Sequence, residues 1–369
     1  MPAIRISRAG RLRDEPETGH NRWHPDIEPK LSVNPGDVVT LETRDAADGQ
    51  IKRGMTVDDL VTMDKAVGHP LTGPVWVNGA KPGDLLEIEF VELQPEPYGW
   101  SRVRPGIGFL RDDFPENFLV HWDIEQGIAT SEQIPGVRIP DGTFMGTAGV
   151  APSHEQLKAW TAREADLIAR GGLALSPDAT DAVPVTPDIA KHGLRTMPPR
   201  ENGGNMDAKQ LTRGSKLYLP VAVDGALFST GDAHFAQGDS ECCVTAIEMG
   251  ATVSVRFKLH SGEARTKNIH FPRFEHAGFF AAPEWAAPKN FVATVGYPIT
   301  TDGRQECEDL TLAARNALLD MINVICDRGF TRMQAYVICS VAVDLRISNA
   351  VDLPNVMVSA LLPLGIFDD

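Results

Sequence analysis

Hydrophobic and polar positions alternate along several stretches of the chain with the period of two that marks a half-buried strand. Leu86, Ile88 and Phe90 alternate with Glu87 and Glu89, and Val253, Val255, Phe257 and Leu259 alternate with Ser254, Arg256, Lys258 and His260. Pro-Gly-Asp turns at 35–37 and 82–84 precede strands expected over 38–43 and 85–93; proline presets such a turn and glycine supplies its positive φ. Asp224-Gly225, set between apolar runs at 218–223 and 226–229, predicts a β-hairpin. A helical period is rarer. Ser153 to Gln156 spells a capping box ahead of Leu157, Trp160, Thr161, Glu164 and Ile168, which predicts a helix over about 154–170 that Gly171-Gly172 ends. Leu310, Ala313, Ala314, Ala317, Leu318, Met321, Ile322 and Ile325 mark a long amphipathic helix ending at Gly329, and Thr331 to Gln334 caps another through about Val343. Residues 94–140, rich in proline, glycine and aromatics, show no period and read as a long irregular insertion. The expected fold is α+β: β-rich, with largely antiparallel sheets, a sandwich-like core and several added helices. A proline-rich connector divides an N-terminal part, 1–175, carrying the insertion, from a C-terminal part, 176–369, carrying the main polar motifs and the last helices. The two are tightly associated and compatible with one domain.

Composition narrows the function more than the fold. A net charge of −15 over 369 residues repels phosphate backbones and anionic lipid, so nucleic acid and membrane surfaces are disfavoured as partners. A small neutral substrate would be indifferent to that field. Five cysteines, an odd number with no Cys-x-x-Cys pair, argue against a disulfide framework or a thiolate zinc site and for a reducing, cytoplasmic location. Neither a leading apolar segment nor a run of eighteen apolar residues is present.

Candidate chemistry concentrates in three polar clusters: Gly203-Gly204-Asn205-Met206-Asp207, Gly231-Asp232-Ala233-His234 and Gly238-Asp239-Ser240-Glu241-Cys242. Asp232 and His234, two apart, share a face if the segment is a strand. A carboxylate and an imidazole converging is a start for a Zn²⁺-type site. Arg44-Asp45 at a strand end offers another oxygen ligand. Gly-Asp pairs are also ordinary turns, and Asp-x-His is also ordinary surface hydrogen bonding. Cys242 is either a thiol nucleophile or a buried strand cysteine. His20 and His24 bracket Asn21-Arg22-Trp23 in what Pro25 marks as a loop, lining a pocket or a subunit contact. His69 has no evident context. There is no Gly-x-Ser-x-Gly elbow and no phosphate-binding Gly-rich loop ending in Lys-Ser/Thr.

Taken together, these stretches are similar to the acetamidase/formamidase family. The resemblance is carried by HNRWHPD at 20–26, PGDVVTLETRDAADGQI at 35–51, GPVWVNGAKPGD at 73–84, GTFMGTAGVAP at 142–152, GGNMD at 203–207 and LYLPVAVDGALFSTGDAHFAQGDSECCVTAIE at 217–248. The first and last look more like formamidases than the shorter acetamidases. The resemblance implies hydrolysis of a short carboxamide, formamide and water giving formate and ammonia, in a metal-containing homo-oligomer. It places Asp45, Asp207, Asp232 and His234 at the family's polar motif positions as expected metal ligands. Zinc is the expected ion, with a second ion as an alternative. Glu241 is the expected proton shuttle, and Asn205 and Gly204 the expected oxyanion donors. A Cys242-dependent amidase and a non-catalytic module that binds a metal or a small amide remain the competing readings.

Overall fold

The computed structural model describes residues 4–64 and 66–368. Its core is two sheets packed face to face. The six-stranded sheet runs, in spatial order, Ile4–Ile6, Val38–Thr43, Ala251–His260, Leu85–Pro95, Ser215–Pro220 and Arg273–His276. Register follows the alternation seen in the sequence: Leu41 lies opposite Val253 and Val39 opposite Val255, all four buried. Leu86, Ile88 and Phe90 are fully buried on the neighbouring strand. The eleven-stranded sheet contains Phe228–His234 near its middle, flanked by Phe144–Gly149 and Leu71–Val77. Phe228 of this sheet meets Phe257 of the other edge to face, ring centroids 5.3 Å apart. Among the described residues, all strand pairings are antiparallel except those of Ile4–Ile6 with Val38–Thr43 and Leu31–Val33 with Leu71–Val77.

Helices are added as capping and spacing require. Ser153 accepts from the Gln156 N–H and Gln156 returns the bond, which starts the helix His154–Ala169. Thr331 and Gln334 do the same for Arg332–Ala342. Together with Leu310–Cys326, that helix packs on a three-stranded sheet of Phe291–Gly296, Met357–Pro363 and Asp344–Asn349. No helix among the described residues is long and apolar enough to cross a membrane.

Two expectations change. The hairpin at Asp224-Gly225 does not form: Ser215–Pro220 belongs to the six-stranded sheet and Phe228–His234 to the eleven-stranded one. Gly225, Ala226 and Leu227 all have positive φ (72°, 57° and 58°), which turns the chain from one layer to the other. A side chain at Gly225 would also strike the Trp76 ring at 2.2 Å. Residues 94–140 are not irregular. They supply Tyr98–Val103, Phe118–Glu125, Ile128–Thr130 and Ile139–Pro140, consecutive antiparallel strands of the larger sheet. Their brevity and the turns between them hide an alternation that buries Trp100, Val120 and Trp122.

Candidate active site

Two strands and two loops deliver carboxylates to a single imidazole nitrogen. His234 ends Phe228–His234, and its Nε2 lies 3.6 Å from Asp232 Oδ1, 3.8 Å from Glu241 Oε1 and 3.2 Å from Glu248 Oε2. Glu248 comes from Glu248–Met249, the strand paired beside His234. Asp207 follows Gly203–Asn205, whose pairing with Phe144–Gly149 brings it to the same place. The ligand atoms of Asp232, His234 and Glu248, and likewise of Asp207, His234 and Glu241, lie within 4.8 Å of one another.

Backbone conformation aims these groups. Asp207, Asp232, Glu241 and His69 have φ of 47°, 56°, 49° and 52°. Each left-handed residue costs about 1 kcal/mol or more, a strain that recurs where function fixes geometry. Asp232 therefore does not reach His234 by simple strand alternation. The strand Phe144–Gly149, between Phe228–His234 and Gly203–Asn205, approaches so closely that a Cβ on Gly146 would meet Asp207 Oδ1 and the Asp232 carbonyl, both at 2.8 Å, and His234 Cε1 at 2.9 Å.

Hydrogen bonds from outside fix the His234 ring and the Asp207 carboxylate. The Gln237 side-chain amide donates to the Asp207 carbonyl (2.8 Å), so its oxygen faces His234 Nδ1 (2.9 Å) and accepts that proton. In the neutral ring His234 Nε2 is left with a lone pair, the tautomer a metal requires. Thr147 donates to Asn205 Oδ1 (2.5 Å), which turns the Asn205 amide to donate to Asp207 Oδ2 (3.0 Å). Asp207 Oδ1, Asp232 Oδ1, His234 Nε2 and Glu248 Oε2 are buried without a hydrogen-bond partner. Orphaned buried polar atoms are costly and rare. Asp232 and Glu248 share one ligand triad with His234, and Asp207 shares a second with His234 and Glu241; these oxygen and nitrogen donors fit a divalent cation with mixed ligands.

Charge states follow the same crowding. Burial and then Glu241 push the Asp207 carboxyl well up. Burial, with Glu248 and Asp232 adding and His234 opposing, raises Glu241 well above its ordinary value. Burial, partly relieved by His234, brings Glu248 to about 7. Burial works against a charged Asp232, but the flanking His69 and His234 outweigh it and hold it well down. For His234, burial opposes the charged ring, and Glu248 and Asp232 override it upward.

The cluster opens on a cavity of about 210 Å³ whose wall includes Glu241, Glu248, Asp207, Asn205, His69 and Trp100. His69, on the loop leading into Leu71–Val77, places Nδ1 3.2 Å from Asp232 Oδ2.

The sequence candidates divide accordingly. Asp207, Asp232, His234, Glu241 and Asn205 meet. Asp45 does not join them: its Oδ1 accepts from the Ala47 and Gly49 N–H groups at 2.8 and 3.1 Å. It shapes a loop whose Ala46 carbonyl receives the His69 N–H at 2.9 Å. Gly204 pairs with Ala148 within the sheet and does not line the cavity. Asp239 accepts from Gln210 at 3.3 Å and its own N–H donates to Asp344. His20 is held inside by the Arg22 carbonyl (2.6 Å) and the Ser229 hydroxyl (2.8 Å), and His24 is buried beside the exposed His154, away from the cluster. Cys242 is buried, and burial pushes its thiol well up, the reverse of an activated nucleophile. Glu248, His69, Gln237 and Thr147 were not singled out. An acid flanked by Ile247 and Met249 is a signal for Glu248, whereas His69 reaches the site only through sheet pairing.

Comparison with known proteins agrees along the whole chain. Residues 5–369 match the Acetamidase/Formamidase family. The acetamidase of Mycolicibacterium smegmatis is 36% identical over 367 residues, 92% of this chain and 89% of that protein. The formamidase of Methylophilus methylotrophus is 34% identical over 368 residues, 95% of this chain and 89% of that one. Among solved structures, the gamma lactamase from Delftia acidovorans superposes with a TM-score of 0.93 at 35% identity, covering 99% of this chain and 93% of that one. Because these matches run through every strand and loop that builds the cluster, the chain belongs to the acetamidase/formamidase family and is an amide hydrolase.

Proposed function

We propose that the chain hydrolyses short carboxamides, formamide among them, to the free acid and ammonia at the Asp207–Asp232–His234–Glu248 cluster. The observation that carries this reading is a set of four buried ligand atoms without hydrogen-bond partners, on residues gathered in two ligand triads that share His234. Those four residues would hold a divalent ion, with zinc the best match to the donor set, and when bound it lowers the pKa of a water toward 7 and polarises the substrate carbonyl. Glu241, raised by burial and bordering the cavity, takes the proton from the attacking water and delivers it to the departing nitrogen. Asn205 has a second N–H beyond the one given to Asp207, and His69 has a ring nitrogen beyond the one facing Asp232. Both border the cavity and steady the carbonyl oxygen as it gains charge.

The cavity of about 210 Å³ exceeds the roughly two water volumes, about 60 Å³, that formamide fills. Longer acyl groups and a small cyclic amide therefore fit the same site, which is the reading the likeness to a gamma lactamase favours. We further propose a homo-oligomer in a reducing, cytoplasmic setting. Phe291, Val295 and Ile347 are exposed on the three-stranded sheet, and the five cysteines are free. The decisive test is ammonia release from formamide, acetamide and propionamide and 4-aminobutyrate formation from 2-pyrrolidinone, with metal content measured on the same sample. Activity that disappears with a chelator and returns with zinc is expected; full turnover by a metal-free sample would overturn the metal role.

A further inference from the structure

A second gathering of metal-ligating side chains lies at the surface, where the 20–26 segment meets the first turn of His154–Ala169. His24, Asp26 and His154 each offer one ligand atom, and the three lie within 4.8 Å of one another. His154 Nε2 stands 3.0 Å from Asp26 Oδ1, and His24 Nδ1 stands 3.8 Å from Asp26 Oδ2. Ligands bound at 2.0–2.1 Å to a tetrahedral ion are about 3.3 Å apart, so the observed spacing brackets what such an ion needs. A groove of about 480 Å³ opens here, bordered by both imidazoles, Asp188 and His192.

His24 is the side chain that distinguishes this group from an ordinary patch of surface charge. Only 1% of its side chain is exposed, against 55% for Asp26 and 64% for His154. The Asp26 backbone N–H donates to His24 Nδ1 at 3.2 Å, so Nδ1 carries the lone pair and the proton sits on Nε2. Nε2 faces Asp188 Oδ2 at 3.6 Å. A carboxylate behind one nitrogen and a lone pair on the other is how proteins orient an imidazole toward a metal. The Asp26 carboxylate and the His154 ring, both solvent-exposed, can close on that lone pair as the weak N–H contact gives way.

We propose that His24, Asp26 and His154 form a surface site for a divalent transition-metal ion of the zinc type, with Asp188 orienting His24 and solvent completing the shell. Two imidazoles and a carboxylate favour Zn²⁺, Ni²⁺ or Cu²⁺ over Mg²⁺ and Ca²⁺, which take all-oxygen shells. The ion would clip the segment entering at His20 to the helix at His154.

Zinc itself is the probe, added to the full-length protein and counted after gel filtration. Wild type is expected to retain one equivalent more than His154→Ala, to show a zinc-dependent rise in thermal midpoint that the variant lacks, and to release ammonia at the same rate. Asp188→Asn, which leaves the three ligands in place, is expected to bind the surface ion at least about tenfold more weakly. Equal zinc content in wild type and His154→Ala, or an equal thermal shift, would overturn the site. Loss of the central ion would lower both proteins alike and leave their difference intact, so the two proposals fail separately.

Discussion

Glu241 and Glu248 both approach one imidazole nitrogen, at 3.8 and 3.2 Å, yet their surroundings ask different things of them. Glu248 Oε1 accepts from the Ala246 N–H at 3.0 Å while Oε2 points unpartnered at His234. Glu241 keeps an open side toward the cavity. Replacing Glu241 by Gln should leave metal content unchanged and lower kcat by about 10²-fold or more, whereas Glu248→Gln should lower metal content first; paired metal analysis and ammonia assays distinguish them. His20 gives a second prediction. Burial is the main cause that holds its imidazole at about 3, far below the 6.5 of an exposed ring. Between those values the unfolded chain binds a proton the folded one refuses, so stability is full above pH 6.5 and falls by about 1.4 kcal/mol per unit as pH drops. Urea unfolding from pH 7 to 5 should show stability slopes that differ by about this amount between wild type and His20→Gln, the difference isolating His20 from the other titrating groups. Residue by residue, much of the site was legible. Gly-Asp, Gly-Gly-Asn and Asp-x-His spellings mark Asp207, Asp232, His234 and Glu241, because such spellings give the sharp turns that carry these side chains inward. Asp45 shows the limit: its Arg-Asp setting reads like a ligand, but its oxygen is satisfied by two backbone N–H groups of its own loop.

Elements were legible where a period runs long enough. The alternation at 85–90 and 253–259 and the two capping boxes lead directly to the observed strands and helices. The turn at Asp224-Gly225 misleads because a hairpin and a crossover between layers begin with the same two residues. Only the positive φ of Ala226 and Leu227 separates them. The last helix shows what elements do for the site. Tyr336 donates to the Cys242 carbonyl (2.5 Å), Ser340 donates to the Thr245 carbonyl (2.6 Å), and the Ser340 carbonyl accepts from the Gly238 N–H (2.9 Å). The loop that presents Glu241 is thus clamped at both ends. On the opposite side the strand at Gly146 is the tight point. Gly146→Ala should keep the sheet yet displace Asp207, Asp232 and His234, with a loss of about 10²-fold in kcat/KM for a shift near 1 Å. Unchanged circular dichroism with wild-type turnover would contradict this.

At the scale of the molecule, a net charge of −15 surrounds a site meant for neutral ligands. Raising salt from low to high concentration should leave KM for formamide unchanged, since only charged ligands are steered by that field. Across formamide, acetamide and propionamide, each methylene should alter kcat/KM by roughly 10–200-fold at most, the range available to an apolar wall. A single amide turned over to the exclusion of the others would mean the cavity is tighter than its volume implies.

That wall has a further consequence. Met63, Ile107 and Met197 border the cavity from three separate connections, while the acidic cluster sits on sheet ends and strained turns. Exchanges at the three apolar positions need not touch the hydrolytic apparatus, so substrate preference can drift while chemistry stands still. A lineage built this way can take on new amides by changing its upholstery rather than its engine.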